Sequence, residues 1–273
     1  MIVLPPEVLQ ASILDACRSS KLFKPWFARS PESWRPWFAF LRVLFGLPLS
    51  ADELALFRRC TGRDKPREGG YLESWLCCGR RAGKSFMLAL IAVFLATCRS
   101  WGEYLAPGEK AVVMIIAADR RQARVIYRYA HALLTRVAVL KPLVEREVAE
   151  VIDLSNGISI EIMTASYRTT RGYSVCAALL DEIAYWKSDL SATPDSEVVN
   201  ALRPAMATVP GSMLLAASSP YARRGVMWRA YQRHYGKDTP VLVWQADTRT
   251  MNSTVPQSII DEAMEDDPSA AQA

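Results

Sequence analysis

The residues best suited to chemistry form one short stretch, CGRRAGKS at 78–85, which follows a strand-like apolar run and opens a helix-like run. A loop that cradles phosphate needs glycine where backbone N–H groups turn inward, a lysine that reaches the β- and γ-phosphates, and a hydroxyl that holds Mg²⁺. Gly83, Lys84 and Ser85 supply these features, and the start of the following helix adds partial positive charge. The stretch therefore predicts a phosphate-binding loop, and a chance GKS at a helix start is the weaker interpretation.

The predicted loop departs from the usual pattern at its first position. Cys78 stands six places before the lysine, where a glycine is usual, and a glycine follows it. The sequence therefore predicts a variant loop whose contacts with nucleotide come from the residues after Cys78. These residues are Gly79, Arg80, Arg81, Ala82, Gly83, Lys84, Ser85 and Phe86.

A pair of carboxylates ends a second apolar run, CAALLDE at 176–182. A buried parallel strand that ends in Asp181 and Glu182 would place both side chains at the carboxyl edge of a sheet, beside the phosphate loop. There we expect Asp181 to support Mg²⁺ through water, and Glu182 to orient and deprotonate an attacking water. Two surface acids after an ordinary strand are the alternative, but a strand and a helix between the loop and the acids favour the catalytic interpretation.

A third apolar run, LLAASSP at 214–220, ends in two hydroxyl side chains. A strand that ends in small hydroxyl residues suits the position where a motor protein senses the γ-phosphate. Ser218 or Ser219 could bond to the attacking water or to that phosphate. A turn initiated by Ser-Pro explains the same residues equally well.

Arginine dominates the positive charge of the chain. Of the 33 basic residues 25 are arginine, and the formal net charge is +5. Arginine makes bidentate contacts with phosphate, so the bias points to phosphate or nucleic acid, although a G+C-rich genome explains it equally well. An arginine finger would also stabilise the charge that develops on a transferred γ-phosphoryl group. Its candidates are Arg80 and Arg81 in the loop and Arg171 in the segment TTRG, each with a surface role as the alternative.

The intervening runs predict the elements that would position these residues. Strands are predicted at 71–78, 110–118, 175–182, 212–220 and 241–247, with a hairpin at 148–165 about Asn156-Gly157. Helices are predicted at about 34–46, 52–60, 84–98, 195–207 and 225–235, with one more after the N-cap Asp119. Strands that alternate with helices predict an α/β fold with a central, mainly parallel sheet flanked by helices, as in RecA-like (ASCE) P-loop NTPases.

The composition excludes several other classes of protein. The 273 residues are 51% hydrophobic and 22% charged, a globular balance rather than a disordered or fibrous one. The longest apolar run, 86–98, is too short to span a bilayer, so no membrane association is expected. Six cysteines without a CxxC pair and two distant histidines predict no zinc site, and Cys78, Cys98 and Cys176 are expected to be buried thiols.

Together, GRRAGKS, TTRG, LLDEIAYW and AASSP resemble the ATPase domain of the large terminase subunit of tailed bacteriophages, the motor that packages DNA into a preformed capsid. The resemblance spans about 34–268 and depends on the four motifs together. It implies ATP and Mg²⁺ as cofactors and ATP-driven translocation of double-stranded viral DNA. It also implies a homo-oligomeric ring on the capsid portal, the terminase small subunit as a partner, and a place in the cytoplasm of the infected bacterial host.

The resemblance further implies roles for single residues. The residues that match the family's functional positions are Lys84 and Ser85 of the phosphate loop, Arg80 within it, the acidic pair Asp181 and Glu182, the coupling-motif residues Ser218 and Ser219, and Arg171. The coupling motif is thought to link hydrolysis to domain motion. In some members the arginine that matches Arg171 acts on a neighbouring subunit, so a finger in trans from Arg171 and one in cis from Arg80 both stay open.

The resemblance divides the chain into three regions. Residues 1–70 would be a helical lead-in that contributes to the adenine pocket, 71–247 the ATPase core, and 248–273 a lid or linker toward a nuclease domain. Because no such domain would fit before Ala273, we expect an ATPase without nuclease activity. A helicase-type P-loop DNA translocase, a small-molecule kinase and a non-enzymatic nucleotide-binding module are the alternatives. A helicase would need a second RecA-like domain and a kinase an arginine-rich lid.

Overall fold

In the computed structural model, which describes residues 4–164, 172–186 and 194–266, a sheet of eight strands carries the fold. The strands are β1 (Glu73–Cys78), β2 (Ala111–Ala117), β3 (Val144–Val148), β4 (Val151–Leu154), β5 (Ile158–Thr164), β6 (Ser174–Asp181), β7 (Met213–Ser218) and β8 (Val241–Ala246). Their spatial order is β3-β4-β5-β2-β6-β7-β1-β8. The pairs from β5 to β8 in this order are parallel, whereas β3–β4 and β4–β5 are antiparallel. The predicted α/β fold with a mainly parallel sheet is confirmed.

Helices cover the sheet, and two of them begin as their sequences predict. The α-helices of the described ranges are α1 (Pro6–Leu9), α2 (Ile13–Arg18), α3 (Arg35–Leu44), α4 (Ala51–Thr61), α5 (Lys84–Thr97), α6 (Arg120–Arg136), α7 (Pro194–Ala207), α8 (Gly225–His234), α9 (Thr248–Met251) and α10 (Gln257–Asp266). Ser50 and Glu53 form a reciprocal capping box at the start of α4. Asp119 accepts hydrogen bonds from the backbone N–H groups of Arg121 and Gln122 at the start of α6.

Side chains of the central strands alternate between two hydrophobic cores. On β2, Val113 and Ile115 belong to the core shared with α2–α6, whereas Met114 and Ile116 belong to the core shared with α7 and α8. A strand that is buried on both faces has no solvent side. The sequences of β2, β6 and β7 are therefore almost continuously apolar.

The helix that follows the phosphate loop is apolar on nearly every side. All of α5 except Ser85 is buried. A helix without a solvent face needs a further layer over it, and α2, α3 and α4 supply that layer within the same hydrophobic core. The N-terminal helices are thus packed against the element that begins with Lys84.

Some elements follow the prediction and others do not. The β4–β5 hairpin turns at Gly157, which has a φ angle of 83°, and the three thiols expected to be buried are buried. The sequence does not predict β3, because three of the five residues of VEREV are charged; this strand is the exposed edge of the sheet, where charged residues discourage pairing with other chains. No helix within the described residues combines the length and hydrophobicity that crossing a membrane requires.

Candidate nucleotide-binding site

Three neighbouring strands bring the predicted motifs to one edge of the sheet. β7 lies between β1 and β6, with Cys77 of β1 opposite Ser218 and Asp181 of β6 opposite Ala217. Parallel strands end at the same edge. The phosphate loop after β1, the acids at the end of β6 and the serines at the end of β7 therefore meet.

The phosphate loop runs from Cys78, the buried last residue of β1, to the start of α5. Arg81 and Gly83 have positive φ angles of 65° and 101°, a conformation that favours glycine and turns the chain sharply. A β-carbon at Gly79 would lie 2.8 Å from the backbone nitrogen of Thr248, so this position requires glycine. Position 78 does not require glycine, because Cys78 is still part of strand β1.

Unpaired backbone donors line the loop. No acceptor among the described residues bonds to the backbone N–H of Arg81, Gly83, Lys84 or Ser85. Lys84 and Ser85 begin a helix, and the N–H groups of a first helical turn have no acceptor within the helix. Unpaired N–H groups in a loop, together with the positive end of a helix, form a site for an anion such as phosphate.

The ammonium group of Lys84 lies at the centre of the site. It is buried, and it donates hydrogen bonds to the carbonyls of Cys78 at 2.9 Å and Gly79 at 3.1 Å and to the hydroxyl of Ser219 at 3.0 Å. Its Nζ lies 3.6 Å from Oε1 of Glu182. These acceptors offset the cost of burying a positive charge and hold the ammonium between the loop and the acidic strand.

Glu182 is held by the two serines at the end of β7. Its Oε2 accepts a hydrogen bond from the backbone N–H of Ser219 at 2.9 Å and another from the hydroxyl of Ser218 at 3.2 Å. Its backbone is left-handed, with φ 47° and ψ 41°. A residue with a side chain keeps this conformation only where the surroundings impose it, which is common at functional sites. The carboxylate therefore has a defined position beside Lys84.

The neighbouring Asp181 lies in a different environment. Its side chain is buried, and its Oδ1 meets no donor among the described residues. Burial, helped by the charge of Glu182 and opposed by that of Lys84, raises the pKa of Asp181 to about 7. A buried carboxylate oxygen without a donor is suited to a cation, so Asp181 and the hydroxyl of Ser85 could hold Mg²⁺. The described residues offer no cluster of three acidic, histidine or cysteine side chains, and Mg²⁺ commonly completes its shell with phosphates and water.

A cavity of about 660 Å³ opens over the loop, a size typical of small-molecule sites. Its lining consists of residues 80–86, Gln122, Val125, Tyr129, Glu182 and Tyr185. Gln122 is not among the residues that the sequence motifs predict, and its buried Oε1 has no partner in the described part of the chain. One signal could have indicated it: Gln122 lies in the first turn of α6, directly after the carboxyl end of β2, at the edge where the other motifs lie.

Phe86 connects the loop to the N-terminal helices. Its ring centroid lies 5.2 Å from that of Trp34, 6.0 Å from that of Trp26 and 5.5 Å from that of Tyr129. The ring is therefore part of an aromatic cluster, and Phe86 also lines the cavity.

The structure describes two of the three candidate arginine fingers. Arg80 and Arg81 are exposed and line the cavity. Arg171 falls within 165–171, outside the described residues. The charge that the loop itself brings to the site therefore comes from Lys84 and from these two arginines.

Comparison with solved structures identifies the fold. The chain is similar to the large terminase ATPase domain of Thermus phage P74-26, at 16% sequence identity and a TM-score of 0.56, over 83% of this chain and 91% of that chain. A variant of that domain with an arginine replaced by alanine matches at 16% identity and a TM-score of 0.53, over 83% and 92%. The large terminase of bacteriophage HK97 matches at 17% identity and a TM-score of 0.54, over 79% of this chain and 51% of that chain. No protein-family model and no curated protein matches the sequence.

At this level of identity the likeness establishes the fold alone. The chain has the P-loop NTPase fold of phage large-terminase ATPase domains, as the sequence motifs predict. It spans about half the length of the HK97 large terminase. The roles of the site residues stay predictions.

Proposed function

We propose that the chain is the ATP-hydrolysing motor domain of a terminase large subunit and drives double-stranded viral DNA into a procapsid. The observation that carries the proposal is the meeting of three groups at one sheet edge: the unpaired N–H groups of the phosphate loop, the ammonium of Lys84 and the carboxylate of Glu182, the last two 3.6 Å apart. The shared fold with phage large-terminase ATPase domains supports the DNA-packaging context. A net charge of +5 suits a polyanionic partner.

In the proposed reaction, the loop N–H groups and Lys84 bind the phosphates of ATP. Lys84 exchanges its bonds with the loop carbonyls and Ser219 for bonds with the β- and γ-phosphates. Ser85 would hold Mg²⁺ directly and Asp181 through water, and Mg²⁺ held there would supply positive charge beside the phosphates. Glu182 orients the attacking water and accepts its proton.

The charge that develops on the γ-phosphoryl group needs an arginine. We assign this role to Arg171, acting in trans on the neighbouring subunit of a homo-oligomeric ring on the capsid portal. Arg80 acting in cis is the alternative, supported by its exposure at the cavity. Ser218 and Ser219 hold Glu182 and would couple its position to the state of the phosphate.

The segments around the core have proposed roles as well. Residues 1–70 contribute to the adenine pocket, a role supported by the contacts of Trp34 with Phe86 and of Trp37 with the loop. Residues 71–247 form the ATPase core, and 248–273 form a lid or linker segment. The further proposed partner is the terminase small subunit, and the proposed location is the cytoplasm of the infected bacterium, transiently at the portal.

The test is ATP hydrolysis by the purified chain with Mg²⁺, with and without double-stranded DNA. We expect hydrolysis that rises when DNA is added and that is lost in Lys84→Ala. Lys110→Ala is the matched control, because Lys110 pairs with Asp153 and lies at the amino end of β2, whereas the motifs lie at the carboxyl ends of the strands. Normal hydrolysis by Lys84→Ala would contradict the site, and hydrolysis that DNA leaves unchanged would contradict the DNA motor.

A further inference from the structure

Three consecutive carbonyl groups of the phosphate loop accept hydrogen bonds from side chains outside the ATPase core. The bonds run from Thr248 Oγ1 to the carbonyl of Arg80 at 2.7 Å, from Asn252 Nδ2 to that of Arg81 at 2.8 Å, and from Trp37 Nε1 to that of Ala82 at 2.8 Å. We name Trp37, Thr248 and Asn252 the carbonyl clamp. Its members come from α3, from α9 and from the residue after α9, so the clamp joins both flanking segments to the loop.

The clamp determines which way the loop's donors point. In a planar trans peptide, the carbonyl of one residue and the N–H of the next point in opposite directions, and the described residues contain no cis peptide. Bonds that hold the carbonyls of residues 80–82 toward the flanking segments therefore turn the N–H groups of residues 81–83 the other way. Two of these, the N–H groups of Arg81 and Gly83, are among the donors without an acceptor in the described structure.

The loop needs support of this kind. Arg81 adopts a left-handed conformation at φ 65° although it carries a β-carbon, which disfavours that conformation. The usual first glycine is also replaced by Cys78, which is fixed in the strand. A bond to the carbonyl of Arg81 and bonds to the carbonyls on either side of it hold this conformation from outside.

The members of the clamp rest on rigid supports. Trp37 is buried, with its ring centroid 5.8 Å from that of Phe40. α9 begins with the N-cap Asp247, which accepts a hydrogen bond from the backbone N–H of Thr250 at 2.7 Å, and it ends with the fully buried Met251. The donors are thus held in place before any ligand binds.

We infer that Trp37, Thr248 and Asn252 are positioning residues that preorganise the phosphate loop, so that the affinity for nucleotide depends on segments outside the core. The inference rests on the proposed function only in taking a nucleotide phosphate as the ligand. Preorganisation lowers the cost of ordering the loop when the ligand binds. Loss of one clamp bond is therefore expected to weaken binding while the chemistry of the bound complex continues.

The experiment removes one hydrogen-bond donor of the clamp at a time, with substitutions that change the shape of the side chain little. Trp37→Phe keeps an aromatic ring, Thr248→Val keeps the branched shape, and Thr248→Ser restores the hydroxyl. Two matched controls remove the same kinds of bond elsewhere: Trp101→Phe, whose indole donates to the carbonyl of Leu95 at 2.8 Å, and Thr97→Val, whose hydroxyl donates to the carbonyl of Val93 at 2.7 Å. Binding of Mg²⁺–ADP is measured by calorimetry, and hydrogen exchange at residues 79–85 is measured without nucleotide.

We expect Thr248→Val and Trp37→Phe to raise the Kd for Mg²⁺–ADP about fivefold each, the effect of one lost hydrogen bond, and to speed hydrogen exchange at the loop. Thr248→Ser and both controls should keep the wild-type Kd and the wild-type exchange at the loop. Clamp variants with unchanged exchange and Kd, or controls that change them equally, would overturn the inference. If the wild type bound no nucleotide, the proposed function would fail, and exchange at the loop would still decide whether the clamp holds it.

Discussion

The two walls of the candidate site are built in different ways. The loop wall, residues 79–85, offers backbone N–H groups, and its shape depends on Trp37, Thr248 and Asn252 outside the core. The acid wall, made of Asp181, Glu182, Ser218 and Ser219, offers side chains that are held by strand ends and by one another.

This difference implies a division of labour. N–H groups that are oriented in advance contact phosphate equally in the bound substrate and in the transition state, so they act mainly on binding. A carboxylate that accepts a proton only during the reaction acts on the rate of the bound complex. Changes that disturb only the backbone N–H groups of the loop wall should therefore raise KM, and changes in the acid wall should lower kcat.

The largest expected effect concerns the arginine finger, and it would show whether a neighbouring subunit contributes a residue to the site. An arginine finger contributes roughly 10³–10⁵-fold to kcat in phosphoryl transfer. If Arg171 acts in trans, Arg171→Ala should lose that factor, and the specific activity of the wild type should rise with protein concentration. Steady-state ATP hydrolysis over a range of concentrations measures both.

Mixing two inactive variants gives the decisive control. In a mixture of Arg171→Ala and Glu182→Gln, some interfaces pair the intact Glu182 of one chain with the intact Arg171 of another, so part of the activity should return. No rescue at any ratio, together with full activity of Arg171→Ala alone, would assign the finger to Arg80 and make the loop wall a source of catalytic charge.

The next largest effect concerns the acid wall itself. Glu182→Gln keeps the shape of the side chain and removes the base, so kcat should fall by roughly 10²–10⁴-fold while ATP binding survives. Glu147→Gln is the control, because Glu147 pairs with His131 at the exposed edge of the sheet. Single-turnover hydrolysis and equilibrium binding of ATP separate the two steps. Normal hydrolysis by Glu182→Gln would reduce this residue to a surface acid.

The sequence predicts the acid wall more fully than the support of the loop wall. A buried strand and the side chains at its end are adjacent in the chain, so apolar runs that end in Asp-Glu or Ser-Ser indicate both at once. The donors of the carbonyl clamp lie 45, 168 and 171 positions from their acceptors. No local pattern joins Trp37 to Ala82, and only the packing of the flanking segments brings them together.

The same reasoning explains what the sequence predicts about the fold. β2 and β6 were predictable because burial on both faces leaves a continuous apolar run. β3 was not, because the exposed edge of a sheet selects for charge rather than for apolar residues. The sequence does not predict Gln122 as a site residue for a related reason. A polar residue on an amphipathic helix normally faces water, and only the position of α6 beside the loop buries the amide of Gln122.

A third prediction uses the contrast within the acid wall between Asp181 and Glu182. The pKa of Asp181 is raised from 3.8 to about 7, mainly by burial, so the folded protein binds this proton more tightly than the unfolded chain does. The resulting stabilisation is complete below about pH 4 and is lost as the pH rises through about 7. The asparagine side chain of Asp181→Asn does not titrate, so the stability of this variant lacks this dependence on pH. Without nucleotide, the melting temperature of the wild type should therefore fall relative to that of Asp181→Asn as the pH rises from about 5 to about 8.

Calorimetric melting at four or five pH values measures this difference. Mg²⁺ with a non-hydrolysable ATP analogue should reduce it, because a cation favours the ionised carboxylate. A wild type that gains stability relative to Asp181→Asn as the pH rises would show that Asp181 is ionised and well solvated in the nucleotide-free protein.

The smallest expected effect tests the division between the walls most directly. Ser218→Ala removes the hydroxyl that donates to Oε2 of Glu182 at 3.2 Å, while the backbone N–H of Ser219 still holds that oxygen at 2.9 Å. Because one of two bonds to the base remains, kcat should fall only about fivefold to tenfold, with KM unchanged. Ser159→Ala is the control, since Ser159 is buried in β5 and donates to Glu161 at 2.7 Å, away from the motifs.

Thr248→Val in the carbonyl clamp should do the reverse of Ser218→Ala and raise KM with kcat unchanged. If Ser218→Ala raised KM as much as it lowered kcat, or if Thr248→Val lowered kcat, the two walls would have to act as one unit in which binding and reaction share the same contacts.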